Sequence, residues 1–158
     1  MWFGVLPGML DEKDRALLGQ LQRDATQSYA TLGEAVGLSA GAVHERVRKL
    51  RERGVIRRTT VDVDPVAVGR GVLAFVLVRA AAWIGDEPVG AALAGIPAVQ
   101  EAHVIAGDAS LLLKVRTATP GDLQDVLRQV YKLGGVTSTE AIVVLDTFFD
   151  RPVDPRDA

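Results

Sequence analysis

The 158-residue chain contains no cysteine, and this absence excludes both a disulfide framework and a thiolate metal site. Its two histidines, His44 and His103, lie far apart in the sequence. Nowhere do about 18 apolar residues follow one another, which is the length that a membrane-spanning helix needs. The apolar first eight residues lack the basic region of a secretory signal. We therefore expect a soluble cytoplasmic protein with no membrane partner.

Patterns typical of catalysis are also missing. No nucleophile stands beside a base in the sequence, and Gly69 and Gly71 lack the third glycine of a phosphate-binding loop. His103 falls on a predicted strand, where a lone histidine is interpreted as a structural hydrogen-bonding or interface residue. We expect no catalytic residue, no cofactor and no metal.

Positive charge is concentrated in one segment of a chain whose formal net charge is -2. Residues 46–58 hold seven Arg or Lys and one acid. Residues 1–60 carry ten basic and seven acidic residues, a balance of +3, whereas residues 61–158 carry eight and thirteen, a balance of -5. This segregation favours two domains and predicts a polyanionic partner for the first. Taken alone, the basic run also fits a solvated helix face.

Capping residues predict three helices before residue 60. Asp11 precedes a helix over about 12–24, Ser28 precedes a second that ends at Gly37, and Ser39 precedes the third. This arrangement, with a basic third helix, is typical of a winged helix-turn-helix that binds double-stranded DNA.

The third helix carries the candidate DNA contacts. Its apolar residues recur at helical spacing and face the other two helices, so its basic residues face solvent. We interpret the arginines and Lys49 mainly as phosphate contacts and His44 and Glu45 as candidates for base edges. A salt bridge from Glu45 to Lys49 is the alternative for Glu45. The candidate DNA-binding residues are Ser28, Ser39, Gly41, His44, Glu45, Arg46, Arg48, Lys49, Arg57 and Arg58.

The remainder predicts a ferredoxin-like βαββαβ domain, and hence an α+β protein. Apolar residues lie on both faces of its first and third strands, although a sheet with helices on one face would otherwise be polar on the other. We therefore expect a second copy to cover the open face. The predicted strands are 72–80, 99–106, 110–117 and 139–147, with helices near 86–95 and after Thr119. The predicted domains are 9–63 for DNA binding, a linker at 64–71, and 72–150 for effector binding and oligomerisation.

The segment LDEKDRALLGQLQRDATQSYATLGEAVG, followed by LSAGAVHERVRKLRERGVI, resembles the N-terminal signature of the Lrp/AsnC family of feast/famine transcriptional regulators. The later segments VQEAHVIAGDASLLLKV and GGVTSTEAIVVL are similar to the effector-binding domain of that family. The resemblance covers residues 9–148. It implies a DNA-binding homodimer that assembles into tetramers or octamers.

The resemblance also implies a small effector, commonly an amino acid, bound between subunits. It assigns this effector to a hairpin turn and to the loop before the last strand. The chain departs from the family at Ser110, where a second acid is common, and at Ala141, where threonine is common. A turn chosen only for its backbone conformation is the alternative. The candidate effector residues are Gly107, Asp108, Ala109, Ser110, Thr137, Ser138 and Thr139.

Two other functions fit the same two-part architecture. One is an architectural DNA-binding protein that has no effector. The other is an enzyme similar to the sirohaem decarboxylases, which need histidines and arginines around a tetrapyrrole cleft. This chain offers only His103 and a few arginines there, and its strongly basic third helix favours a transcriptional regulator.

Overall fold

The computed structural model describes residues 10–156 and divides the chain into two compact units. The helical unit comprises the chain up to Val61 together with the segment from Phe149 onward, and the sheet unit comprises Asp62–Phe148. The predicted linker, residues 64–71, therefore lies in the sheet unit. Residue 9, where the first predicted domain begins, is outside the described residues.

The helical unit contains three helices, as the capping residues predict. The side chains of Asp11, Ser28 and Ser39 accept hydrogen bonds from the backbone N–H groups of the first turns. The second helix ends at Gly37, which has a φ of 67° and so adopts the left-handed conformation that favours glycine. The helices are α1, Glu12–Arg23; α2, Tyr29–Val36; and α3, Ala40–Glu52.

The helices pack around one apolar cluster. Every fully buried leucine in such a cluster stabilises the fold by about 1.5–3 kcal/mol. Close packing extends to the backbone, because a Cβ on Gly33 would lie 2.4 Å from the carbonyl oxygen of Leu38. Only glycine leaves room for α2 to approach the turn that follows it. The buried members are Leu17, Leu32, Val43, Val47 and Leu50.

The predicted wing is not formed as a β-hairpin. Between the end of α3 and residue 71, the structure describes no strand. Residues 57–60 are exposed and without regular structure, and they follow the left-handed Gly54. The helix-turn-helix is thus confirmed, whereas the predicted wing is replaced by an unpaired segment.

The C-terminal segment packs on α1, and nothing in the sequence pattern predicts this. Arg15 Nη1 donates to the carbonyl oxygen of Pro155 at 2.8 Å, and Gln22 Nε2 donates to that of Val153 at 3.0 Å. The chain therefore leaves the helical unit for the sheet unit and returns to it.

The sheet unit has the predicted βαββαβ order, and the α+β fold class is confirmed. Its four antiparallel strands are ordered β2-β3-β1-β4. The second helix of this unit begins with a capping box. In it, the side chains of Thr119 and Asp122 each accept a hydrogen bond from the backbone N–H of the other. The elements are β1, Val72–Ala80; α4, Glu87–Ala94; β2, Val99–Val104; β3, Leu111–Thr117; α5, Pro120–Tyr131; and β4, Val136–Val143.

One face of the sheet forms the core of this unit and the other is open. The core face presents fully buried residues such as Val76, Leu113 and Val115. The open face has an apolar centre but a charged rim, so the expectation that both faces are apolar holds only for its middle. At the rim, Arg79 pairs with Glu140 at 3.2 Å.

None of the helices within residues 10–156 is long and apolar enough to cross a membrane.

Candidate functional site

Helix α3 exposes one face because the other is buried. Val43, Val47 and Leu50 are at most 1% exposed, and they fix the rotation of the helix against α1 and α2. The intervening residues lie in solvent, as the apolar spacing predicts. The exposed residues of this helix among the candidates are Gly41, His44, Glu45, Arg48 and Lys49.

Arg46 differs from the prediction that it faces a phosphate. Its Nη1 lies 2.6 Å from Asp11 Oδ2 and 2.7 Å from Asp14 Oδ1, so it joins α3 to the start of α1. Asp14 is only 7% exposed. The backbone N–H of Asp14 and then the Arg46 guanidinium lower the pKa of Asp11, and the two carboxylates raise the pKa of Arg46. In this structure Arg46 is an internal ion-pair residue.

Two carboxylates of its own helix pair with Arg48. Its Nη2 and Nε donate to both oxygens of Glu45, at 2.6 and 3.0 Å, and its Nη1 pairs with Glu52. Lys49 lies 3.4 Å from Glu45 as well. The hydrogen bonds from Arg48 lower the pKa of Glu45 to about 2. The expected salt bridge of Glu45 with Lys49 is therefore present, but the contact with Arg48 is the closer one.

Three arginines of residues 46–58 have no such partner in the described part of the chain. Within residues 10–156, the side chains of Arg51, Arg57 and Arg58 form no ion pair or hydrogen bond. All three are exposed and line a groove of about 420 Å³ together with Tyr29. Arg51 is not among the residues predicted to bind DNA, although it follows His44 by seven residues, or two helical turns, and so shares its face.

His44 has an aromatic neighbour that the sequence analysis missed. Its ring packs edge-on against Tyr29, with centroids 5.6 Å apart and planes at 67°. Tyr29 directly follows the N-cap Ser28, whose Oγ accepts from Thr31 N at 3.1 Å. The Oγ of Ser39 likewise accepts from Ala42 N. Both candidate serines thus cap helices.

The turn between β2 and β3 includes the first group of candidate effector residues. Asp108 is exposed, while Ala109 is buried. Ile105 N donates to Ser110 O at 3.0 Å, and Ser110 N donates to Val78 O at 2.8 Å. The backbone N–H of Ser110 is therefore bound to β1.

The second group lies in a strand and not, as predicted, in a loop. Strand β4 begins at Val136, three residues before the predicted start at residue 139. The polar residues before 139 predict a loop, but threonine is β-branched and favours strands. Ser138 pairs with Arg79 and Thr139 with Val78. Because side chains alternate along a strand, Ser138 faces the opposite side of the sheet from its two threonine neighbours.

The two groups lie at the same end of the sheet, on opposite sides of β1. Val78 accepts from Ser110 on one side of β1 and pairs with Thr139 on the other. Strand β1 thus separates the turn from β4.

His103 has a structural environment, in line with its interpretation from the sequence. Its Nε2 lies 3.1 Å from Glu101 Oε2, and Lys114 donates to the other oxygen of Glu101 at 3.0 Å. Lys114 and then His103 lower the pKa of Glu101.

Comparison with known proteins assigns both units. Residues 10–51 match the AsnC-type helix-turn-helix domain, and residues 73–154 match the Lrp/AsnC ligand binding domain. The chain belongs to the Lrp/AsnC family. It is 36% identical to the HTH-type transcriptional regulator FL11 of Pyrococcus horikoshii, over 87% of this chain and 91% of FL11.

Solved structures support the same assignment. AsnC of E. coli superposes with a TM-score of 0.86 at 29% identity, over 93% of this Lrp/AsnC protein and 99% of AsnC. A feast or famine regulatory protein of M. tuberculosis, complexed with L-methionine, superposes with a TM-score of 0.84 at 33% identity, over 92% and 99%. The protein is a DNA-binding transcriptional regulator, and the alternative of a sirohaem decarboxylase-like enzyme is wrong.

The ion pairs of Arg46 predict a stability effect in this Lrp/AsnC protein. We expect Arg46→Met to reduce the free energy of unfolding by about 1–3 kcal/mol, because Asp14 then stays buried without its cation. Arg58→Met, at an exposed arginine, is the matched control and should have little effect. Chemical denaturation followed by the helical circular dichroism signal measures both.

The pH dependence has a defined sign. The pKa of Asp11 is lower in the folded than in the unfolded state, so its contribution is complete above about pH 4 and is lost as the pH falls through the folded value. The stability difference between wild type and Arg46→Met should therefore narrow in acid. Equal stability of the two proteins at neutral pH would contradict the internal role of Arg46.

Proposed function

We propose that the protein is a cytoplasmic homodimeric regulator that contacts duplex DNA through α3 and the segment after it, and that an amino acid modulates it. The observation that carries the DNA contact is a cluster of three arginines whose side chains have no partner within residues 10–156: Arg51, Arg57 and Arg58, beside the exposed face of α3. Unpaired exposed cations contact phosphates without first breaking an internal ion pair.

Phosphate and base contacts fall to different residues in this proposal. Arg51, Arg57 and Arg58 bind phosphates, and Arg48 and Lys49 join them when they exchange their carboxylate partners for DNA. His44 contacts base edges, and its edge-on packing against Tyr29 supports this role because it limits the orientations of the imidazole. The serine caps and Gly41 hold the first turns of the helices close to the backbone of the duplex.

The open sheet face supports a dimer. Phe75 lies opposite Ile142, and Leu77 lies opposite Leu112, so these side chains share one face of adjacent strands. Ile142 is 50% exposed. Two copies related by a twofold axis would cover this apolar centre with the same surface on each subunit. Further assembly into tetramers or octamers is the arrangement that the family implies.

Two observations support an effector site at the end of the sheet: the ligand of a relative and the polar groups of the turn. The structure of the relative from M. tuberculosis is a complex with L-methionine. In this chain, the exposed Asp108 makes no ion pair with any residue of the described part and is suited to an ammonium group. The N–H groups of the turn around Gly107 and Ala109 suit a carboxylate. Ser110 completes the candidate set together with Thr137 and Thr139 on one face of β4, or with Ser138 on the other face.

The DNA contacts predict distinct effects of two substitutions. Arg58→Met should reduce the slope of log K against log salt concentration by about 0.9, because one phosphate contact is lost. His44→Ala should instead narrow the affinity ratio between a site selected from a random duplex library and random DNA. Arg128→Met, at an exposed arginine of the sheet unit, is the control. Fluorescence anisotropy at several salt concentrations measures all three, and an unchanged slope for Arg58→Met would exclude that contact.

The open face predicts which strand residue controls assembly. Leu77→Glu should yield a folded monomer of 16.8 kDa in light scattering, because the charge lies in the proposed interface. Val76→Glu, one residue earlier, should unfold the sheet unit, because Val76 is 0% exposed in its core. A wild-type protein that is monomeric at micromolar concentration would refute the dimer.

The effector site is tested at Asp108. L-Methionine, and then a panel of other amino acids, should raise the unfolding midpoint of the wild-type protein if one of them binds the native state. Asp108→Ala should abolish that shift and the effect of the amino acid on DNA binding, while the ligand-free DNA affinity stays unchanged. Asp125→Ala controls for the loss of a surface acid. A normal response of Asp108→Ala, or no response of the wild type, favours the architectural function without effector.

A further inference from the structure

Arg48 is held by carboxylates of its own helix on two sides. Glu45 accepts from the Nε and Nη2 edge through both of its oxygens, and Glu52 accepts from Nη1. Three of the five N–H groups of the guanidinium are therefore engaged before any DNA arrives. The side chains are between 47% and 57% exposed, so water competes for these pairs and they are weak enough to exchange.

We infer that Glu45 and Glu52 determine specificity by opposing the binding of α3 to random duplex DNA. This inference rests on the proposed contact of α3 with DNA. A phosphate gains the full set of Arg48 donors only by displacing the carboxylates, and in either case the two acids lie close to the polyanion. Binding that depends on phosphates alone is thus weakened, because it gains one cation contact and acquires two nearby like charges.

At a matching base sequence, a new hydrogen bond to Glu45 offsets the loss of its ion pair with Arg48. When Arg48 leaves, both oxygens of Glu45 are free to accept from a base amino group such as cytosine N4. Random sequence offers that donor only by chance, whereas a selected site offers it at the required position. Glu52 follows Glu45 by seven residues on the same helix face and contributes the like charge without this recognition. The two acids therefore act differently.

The charge on Glu45 is permanent under conditions in which DNA is bound. Its pKa is lowered to about 2 by Arg48, so the carboxylate stays ionised throughout the neutral range. Its opposition to phosphates is therefore independent of pH near neutrality.

The sheet unit provides a matched control. Asp125 and Arg128 on α5 form an exposed pair three residues apart at 3.0 Å, as Glu45 and Arg48 do on α3. Asp125→Asn raises the net charge by one, just as Glu45→Gln does, but it lies outside the proposed DNA surface. Any effect of overall charge or of helix stability appears in both variants.

The experiment compares Glu45→Gln, Glu52→Gln and Asp125→Asn in the full chain. Affinity is measured for a random duplex and for a site selected by the wild type, at several salt concentrations. Glu45→Gln should bind the random duplex about three- to tenfold more tightly, with a salt slope steeper by about 0.9, because Arg48, then paired only with Glu52, is free to add a phosphate contact through its Nε and Nη2 edge. Its ratio of selected to random affinity should fall at least about fivefold. Glu52→Gln should strengthen both affinities similarly, and Asp125→Asn should change neither.

The double variant Glu45→Gln/Arg48→Met tests whether Glu45→Gln changes DNA affinity through Arg48. The steeper salt slope should disappear in it, because no arginine is left to be released. If Glu45→Gln binds the random duplex as the wild type does, or if Asp125→Asn has the same effect, the inference is overturned. In that case the loss of salt slope in Arg58→Met still upholds the proposed DNA surface. If Arg58→Met and all the acid variants match the wild type, the proposed surface and the inference both fail.

Discussion

The burial of one apolar stripe on α3 determines which charges of this helix are presented to solvent. Val43, Val47 and Leu50 pack against α1 and α2 and are almost completely buried. Rotation of α3 by a quarter turn would expose this stripe and bury charged groups, at a cost of several kcal/mol. The orientation of every exposed residue on α3 therefore follows from contacts that the DNA never touches. The Arg46 pair with α1 fixes the same orientation electrostatically.

The number of basic residues overstates the positive charge available for binding. Seven Arg or Lys lie in residues 46–58, but Arg46 is paired inward and Arg48 is enclosed by two carboxylates. Lys49 shares Glu45 with Arg48. The most accessible positive charge comes from Arg51 and the pair after the helix. Under the proposed function, fewer unpaired cations gain less from phosphates alone, and this leaves more of the discrimination between sequences to base contacts.

Much of the fold follows from short-range signals in the sequence. Caps at Asp11, Ser28 and Ser39 define helix starts to the residue, because the capping hydrogen bond is local. The strands follow from runs of apolar residues. The missing wing and the early start of β4 are local errors, whereas the other failures concern contacts between distant parts of the chain. Arg46 pairs with acids more than thirty residues away, and the C-terminal segment binds through its backbone carbonyls, which have no sequence signature. Site residues were therefore predicted as exposed or charged groups, but their pairing was not.

Strand β1 connects the parts of the sheet unit that a ligand and a partner subunit would use. Its Val78 carbonyl binds the turn that contains Asp108, and its other edge pairs with the polar start of β4. Its alternate residues, Phe75 and Leu77, form the centre of the open face. A ligand at the sheet end that shifts β1 against β3 or β4 would thus move residues of the proposed dimer surface directly. Such a ligand changes the assembly only if it binds one arrangement more tightly than another, and the same difference in affinity then makes assembly change its binding.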